Sequence, residues 1–140
     1  MNIDELSRVW APRMLSVLRI MAALLFFEHG TQKLLGFPAS HNPGPAVMSL
    51  SWIAGAIELF GGALLAAGAF TRPVAFILSG QMAFAYFIAH APRSFFPVLN
   101  NGDASILYCF LFLYFALAGG GVWSLDAMLE RKRSRPRAFG

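Results

Sequence analysis

Apolar residues gather along the chain in four long blocks, about Met14–Phe37, Val47–Phe70, Pro73–His90 and Ala104–Val122. Each block holds roughly 18–24 residues, or about 27–36 Å of helix, close to the ~30 Å thickness of a bilayer core. The blocks are apolar on every face and do not alternate with period two, which disfavours a closed barrel. The pattern predicts an all-α, polytopic membrane protein: a bundle of four transmembrane helices.

The separators refine this picture. PASHNPGP (38–45) is a turn-forming loop. Thr71-Arg72-Pro73 is so short that the second and third helices must form an antiparallel hairpin. Thr71 is expected to cap the third helix, with Pro73 in its first turn. APRSFFPVLNNGD (91–103) is a longer loop. Its Phe95 and Phe96 suit a membrane boundary, Asn101-Gly102 marks a turn, and Asp103 is expected to cap the fourth helix. Near the start, Asn2 and Glu5 form a capping-box pattern before an amphipathic turn of Ile3, Leu6, Val9 and Trp10, which Pro12 is expected to interrupt. Gly119-Gly120-Gly121 reads as a helix stop, and Ser124 opens a short amphipathic turn with Leu125, Met128 and Leu129. No cleavable signal peptide and no internal repeat is evident. The chain divides into one domain, 1–130, and a basic tail, 131–140.

Composition supports lipid as the solvent. Of the 140 residues, 57% are hydrophobic and 13% charged, and the mean hydropathy is +0.59. A soluble domain of this length would leave much of that apolar surface in water. The net charge of +4 does not point to nucleic acid, because five of the eleven Lys and Arg residues lie in the last ten positions and no basic patch interleaves with aromatics. Four spans place Arg8, Arg13, Arg72 and the tail residues Arg131, Lys132, Arg133, Arg135 and Arg137 on one side. The positive-inside rule then predicts both termini in the cytoplasm of a bacterial inner membrane. The basic residues after Met128 read as a topology anchor, or as a tail for a partner or anionic lipid.

Polar groups inside the spans carry whatever chemistry there is, because each is costly in hydrocarbon. Helical rise places Glu28 about 13 Å deep, His29 about 12 Å, Glu58 about 16 Å, and Gln81 and Tyr114 about 15 Å. Lys33 and His90 lie nearer the outer surface, and Arg19 nearer the cytoplasmic side, where it can snorkel. The candidate layer is therefore Glu28, His29, Lys33, Glu58, Gln81, His90 and Tyr114. Ala54, Glu58, Gly62 and Ala66 recur every fourth residue, a stripe that lets helices approach closely and turns Glu58 toward protein. Two readings stand side by side: a network that only holds the bundle together, and a pocket for a quinone or similar lipophilic molecule. Proton or solute passage is a third, and it requires an oligomer. His29, His41 and His90 lack metal-ligand spacing, so no metal is expected. The single cysteine, Cys109, reads as a packed small side chain.

Three stretches carry a family resemblance: LRIMAALLFFEHGTQKLLGF in the first helix, GAIELFGGALLAAGAFTRPVAF across the hairpin, and FFPVLNNGDASILYCFLFLYFALAGGGVWSLDAML toward the end. Together they resemble the DoxX family of membrane proteins over about residues 14–130. The resemblance implies a four-helix inner-membrane protein. It maps a polar helix end onto His29, Gly30 and Lys33, an acidic position onto Glu58, and an outer loop onto Asn100, Asn101, Gly102 and Asp103. Where similar proteins have a glycine pair and a glutamate in that loop, this chain has NNGD. It also implies quinone-linked oxidoreductase subunits or partners of soluble redox enzymes. The expected role is an auxiliary subunit of a membrane redox system, with a redox partner protein, membrane lipid and a homo-oligomer or hetero-complex as its associations. The alternatives are a non-catalytic scaffold and a small carrier.

Overall fold

A computed structural model describes residues 2–134, and among them every regular element is helical. The elements are α1 (Ile3–Leu35), α2 (Leu50–Ala67), α3 (Thr71–Ala85), a π turn (Tyr86–His90), a 3-10 turn (Ala91–Arg93), a short α4 (Pro97–Asn100), α5 (Asp103–Ala118) and α6 (Leu125–Arg133). Three helical segments, Ile3–Leu35, Leu50–Ala67 and Thr71–Arg93, are long and apolar enough to cross a membrane. The fourth apolar helix, Asp103–Ala118, is shorter, at 16 residues.

α1 is one helix of 33 residues, about 50 Å long. The Asn2–Glu5 capping box forms as the sequence suggests, but Pro12 does not interrupt the helix. The ring removes one amide, and the Arg8 carbonyl it frees lies on an exposed overhang where water can replace the lost bond. α1 ends at Gly36, whose left-handed φ of 67° turns its amide back to the Gln32 carbonyl. α2 starts on the Ser49 hydroxyl and ends at Gly68 in the same left-handed way.

Two corrections concern helix starts. Thr71 does not cap α3. Asp126, at the start of α6, does so from across the fold: its two carboxylate oxygens accept from the Phe70 amide at 2.9 Å and the Thr71 amide at 2.8 Å. Nor does Asp103 cap α5; Gly102 occupies that position and Asp103 is the first helical residue. α6 starts at Ser124, where the sequence places the opening of a short turn; the Ser124 hydroxyl caps it, and it carries the start of the basic tail into its last turn. Arg135 and Arg137 lie outside the described residues.

α1 packs on α2 and α3 on α5, with α2 against α3 joining the pairs. Glycine sets the first contact. A Cβ on Gly30 would sit 2.4 Å from the Leu59 amide nitrogen, and one on Gly62 would sit 2.9 Å from the Phe27 Cα. The backbones therefore touch where the stripe predicted small residues, although the buried residues of α2 are Gly55, Glu58, Gly62 and Leu65 rather than the strict fourfold set. α5 closes the bundle on α1 through rings. Phe26 meets Phe112 edge-on at 4.9 Å and Tyr108 at 5.5 Å. The core is thin: Phe26, Leu65, Leu78, Met82, Phe112 and Phe115 with three alanines among them. Large side chains such as Phe60, Phe76 and Phe110 point outward and are about two-thirds exposed, at 68%, 65% and 66%. That inverted surface is stable only against hydrocarbon.

Candidate functional site

Three of the seven layer residues meet inside the bundle. Lys33 is in the last turn of α1, and its Nζ lies 2.6 Å from Glu58 Oε1 in the middle of α2. Gln81 of α3 donates from the same Nε2 to Glu58 Oε1 at 3.3 Å and to the Ala54 carbonyl at 3.1 Å. The Glu58 side chain is only 4% exposed, whereas Lys33 is 31% exposed, so the pair is a buried carboxylate reached by a cation from the bundle's edge. It is the one ion pair among the described residues. Two buried acceptors in the cluster, Glu58 Oε2 and Gln81 Oε1, have no hydrogen-bond partner. Buried polar atoms without partners are uncommon, and they mark places where a donor fits.

The other expected members stand apart. Glu28 and His29 are exposed, and among the described residues neither side chain forms a hydrogen bond; only the Glu28 backbone carbonyl accepts one, from the Thr31 hydroxyl. At 100° per residue, Arg19, Ala22, Phe26, Gly30 and Lys33 share the inward face of α1, and Glu28 points about 180° from its centre. Matching depth therefore did not mean matching direction. Tyr114 is 53% exposed and lies toward the end of the bundle that carries α6, not in the layer. His90 closes the π turn at the opposite end. Its Nδ1 is 3.0 Å from the Asn100 carbonyl, and its ring stacks on Tyr86 at 6.4 Å. Of the outer-loop residues, Asn100 is fully buried and donates to the Ser94 carbonyl at 2.8 Å. Asn101 holds a left-handed turn at φ 57°, and both it and Asp103 are exposed. Cys109 is half-buried beside the Ser79 hydroxyl. Among the described residues, no group of three or more His, Cys, Asp or Glu side chains gathers.

A second polar cluster escaped the sequence reading. Arg19 does not snorkel; it is fully buried. Its Nε donates to the Gly120 carbonyl at 2.8 Å, and Nη2 to the Trp123 carbonyl at 2.7 Å. Its Nη1 serves the α2 end, donating to the Leu65 carbonyl and, at 2.6 Å, to the Ala66 carbonyl. The Ser16 hydroxyl, one turn earlier, accepts from the Trp123 amide at 3.0 Å. Asp126 joins the same cluster. Burial alone would raise its carboxyl, but bonds from Thr71 and the Phe70 amide, with the Arg19 charge nearby, outweigh that and hold it below the usual carboxylate range. Arg19 thus ties the end of α2 to the glycine stop after α5, while Asp126 ties α6 to α3. The available signal was angular: Arg19 lies on the face of α1 that carries Gly30 and Lys33.

Comparison with known proteins identifies a family. The DoxX family model matches residues 14–91, more than half of the chain. The chain belongs to the DoxX family. A Haemophilus influenzae protein described only as uncharacterized is 43% identical over 128 residues, spanning 88% of this chain and 96% of its own length. No solved structure matches. The DoxX match covers both sides of the Lys33–Glu58–Gln81 cluster as well as His90, and it stops before Asn100.

Proposed function

We propose that this DoxX protein is an auxiliary subunit of a membrane redox system that binds a quinone or similar lipophilic molecule at Lys33, Glu58 and Gln81. The observation that carries the reading is the unpartnered, buried pair of acceptors, Glu58 Oε2 and Gln81 Oε1, beside a lysine whose side chain is partly exposed. Such a set suits a ligand with both an acceptor oxygen and hydroxyl donors. A bound quinone would supply two-electron, two-proton chemistry. In this chain Lys33 would donate to a carbonyl-type oxygen, Glu58 would hold a proton at Oε2, and Gln81 would orient a hydroxyl. The electrons would come from a partner protein in a hetero-complex or homo-oligomer.

The reading takes α5 as a fourth span. Its 16 residues give about 24 Å, and burial of Phe112 and Phe115 in the core supports full insertion beside α3. Four spans and the Lys and Arg bias would put both termini in the cytoplasm of a bacterial inner membrane.

The test is purification in mild detergent followed by mass spectrometry of co-purifying lipids. The proposal expects near-stoichiometric quinone or quinol in the wild type and its loss in Glu58→Gln and Gln81→Leu proteins that stay monodisperse. Only bulk phospholipid in the wild type overturns it. A scaffold reading is the second, favoured by the way Glu58 Oε1 and the Ala54 carbonyl join three helices through Lys33 and Gln81. It expects those variants to lose stability, with no small molecule ever bound.

A further inference from the structure

A well-defined recess lies away from the polar cluster. It is a groove of about 800 Å³ at the end of the bundle that carries α6. One wall is apolar and continuous with the span surface: Pro12 and Leu15 of α1, Phe70, and Tyr114 of α5. The rim is basic. Arg72 from the start of α3 and Arg131 and Arg133 from the last turn of α6 all line it. Two carboxylates, Asp126 and Glu130, also reach the groove. Asp126 has both oxygens engaged by the Phe70 and Thr71 amides and has the Arg19 charge nearby, and the three rim arginines outnumber the two carboxylates. Two of the arginines are aimed by backbone bonds: Arg72 donates to the Ala116 and Leu117 carbonyls, and Arg131 to the Val122 carbonyl at 3.3 Å. A guanidinium has five donors, so each keeps several for an incoming group.

We propose that this groove seats one anionic phospholipid. Its phosphodiester headgroup would lie against Arg72, Arg131 and Arg133, with an acyl chain along the Leu15 and Tyr114 wall. Two features choose a lipid over a free anion. The arginines stand where apolar spans give way to polar loops, the level of a lipid headgroup. The groove also pairs its basic rim with an apolar wall, which inorganic phosphate would leave unused. The site is at the opposite end from His90 and shares no residue with the Lys33–Glu58–Gln81 cluster, so it stands whatever the fate of the quinone proposal.

Native mass spectrometry of the full chain in mild detergent tests it, titrating phosphatidylglycerol against phosphatidylcholine of matched chains. The wild type should retain one phosphatidylglycerol in clear preference to phosphatidylcholine. Each of Arg72→Gln and Arg133→Gln should weaken that retention about fivefold and leave phosphatidylcholine unchanged. Arg133 lies in the exposed last turn of α6, so its variant remains informative even if the Arg72 variant fails to fold. Equal retention of the two lipids overturns the proposal, as does retention that ignores Arg133→Gln. Displacement of the lipid by millimolar inorganic phosphate would reveal a free-anion site, and a dimer that forms only without added lipid and needs the same arginines would reveal a second copy. Either outcome also overturns it.

Discussion

Replacing Arg19 by methionine separates a snorkelling side chain from a buried clasp. A snorkelling arginine on a lipid-facing surface could be exchanged for methionine at little cost. In the fold, Arg19 is fully buried and serves four carbonyls, those of Leu65, Ala66, Gly120 and Trp123. Methionine fills similar volume but donates nothing. Leu65 and Gly120 are buried residues, so their carbonyls would lose partners with little water to replace them, at about 1–3 kcal/mol each. Trp123 is exposed and Ala66 half-buried, so hydration recovers part of their loss. Asp126 would lose a favourable charge. Together these give about 3–5 kcal/mol, the range for removing one partner of a buried charged group. At about 3 °C per kcal/mol for a chain of this size, the midpoint should fall by roughly 10–15 °C. The assay is the fraction of detergent-solubilised protein that stays monodisperse after heating, with Arg93→Met, on an exposed turn, as the control. Arg19→Lys should lie between, because a lysine cannot span the same fork of carbonyls. A shift below about 2 °C for Arg19→Met would refute the clasp.

Three further outcomes follow from the packing. Asp126→Asn should destabilise the protein at neutral pH, as loss of an N-cap costs about 0.5–2 kcal/mol. The folded carboxyl is held low, so its contribution is present above about pH 4 and is lost as pH falls through the folded value; the gap between wild type and variant in melts should therefore narrow from pH 7 to pH 3. Gly30→Ala drives a Cβ to 2.4 Å from the Leu59 nitrogen, forcing α1 off α2. It should cost about 2 kcal/mol or more by thermal shift, whereas exposed His29→Ala should stay within about 0.5 kcal/mol. Lys33→Met strands a buried carboxylate and should cost about 3–5 kcal/mol, while adding Glu58→Leu should recover most of it in a double-mutant cycle.

Much of this chain was legible without coordinates. Helix starts written by neighbouring residues were readable at Asn2 with Glu5 and at Ser124, because a cap is a local bond; Ser49 caps α2 in the same local way, but the apolar block begins at Val47 and hid that start. Gly36 and Gly68 end their helices by an equally local device, a left-handed φ that other residues resist, but the apolar blocks run on to Phe37 and Phe70 and masked both ends. The apolar blocks named hydrocarbon as the solvent, since so much outward-facing Leu and Phe has no other stable environment. Glu58 toward protein followed from small residues at fourfold spacing.

Direction and partnership belonged to the tertiary structure. Depth along a helix follows from counting, but Glu28 and Lys33 lie on different faces of α1, and only packing against α2 chose which face turned inward. Asp126 caps α3 from 55 residues away, and Arg19 closes carbonyls of α2 and of a loop about 100 residues on. Pairings between distant positions leave no period and no neighbour pattern in a single chain; they exist because folding brings unsatisfied backbone groups to the same place, where an uncompensated polar atom is too costly to leave.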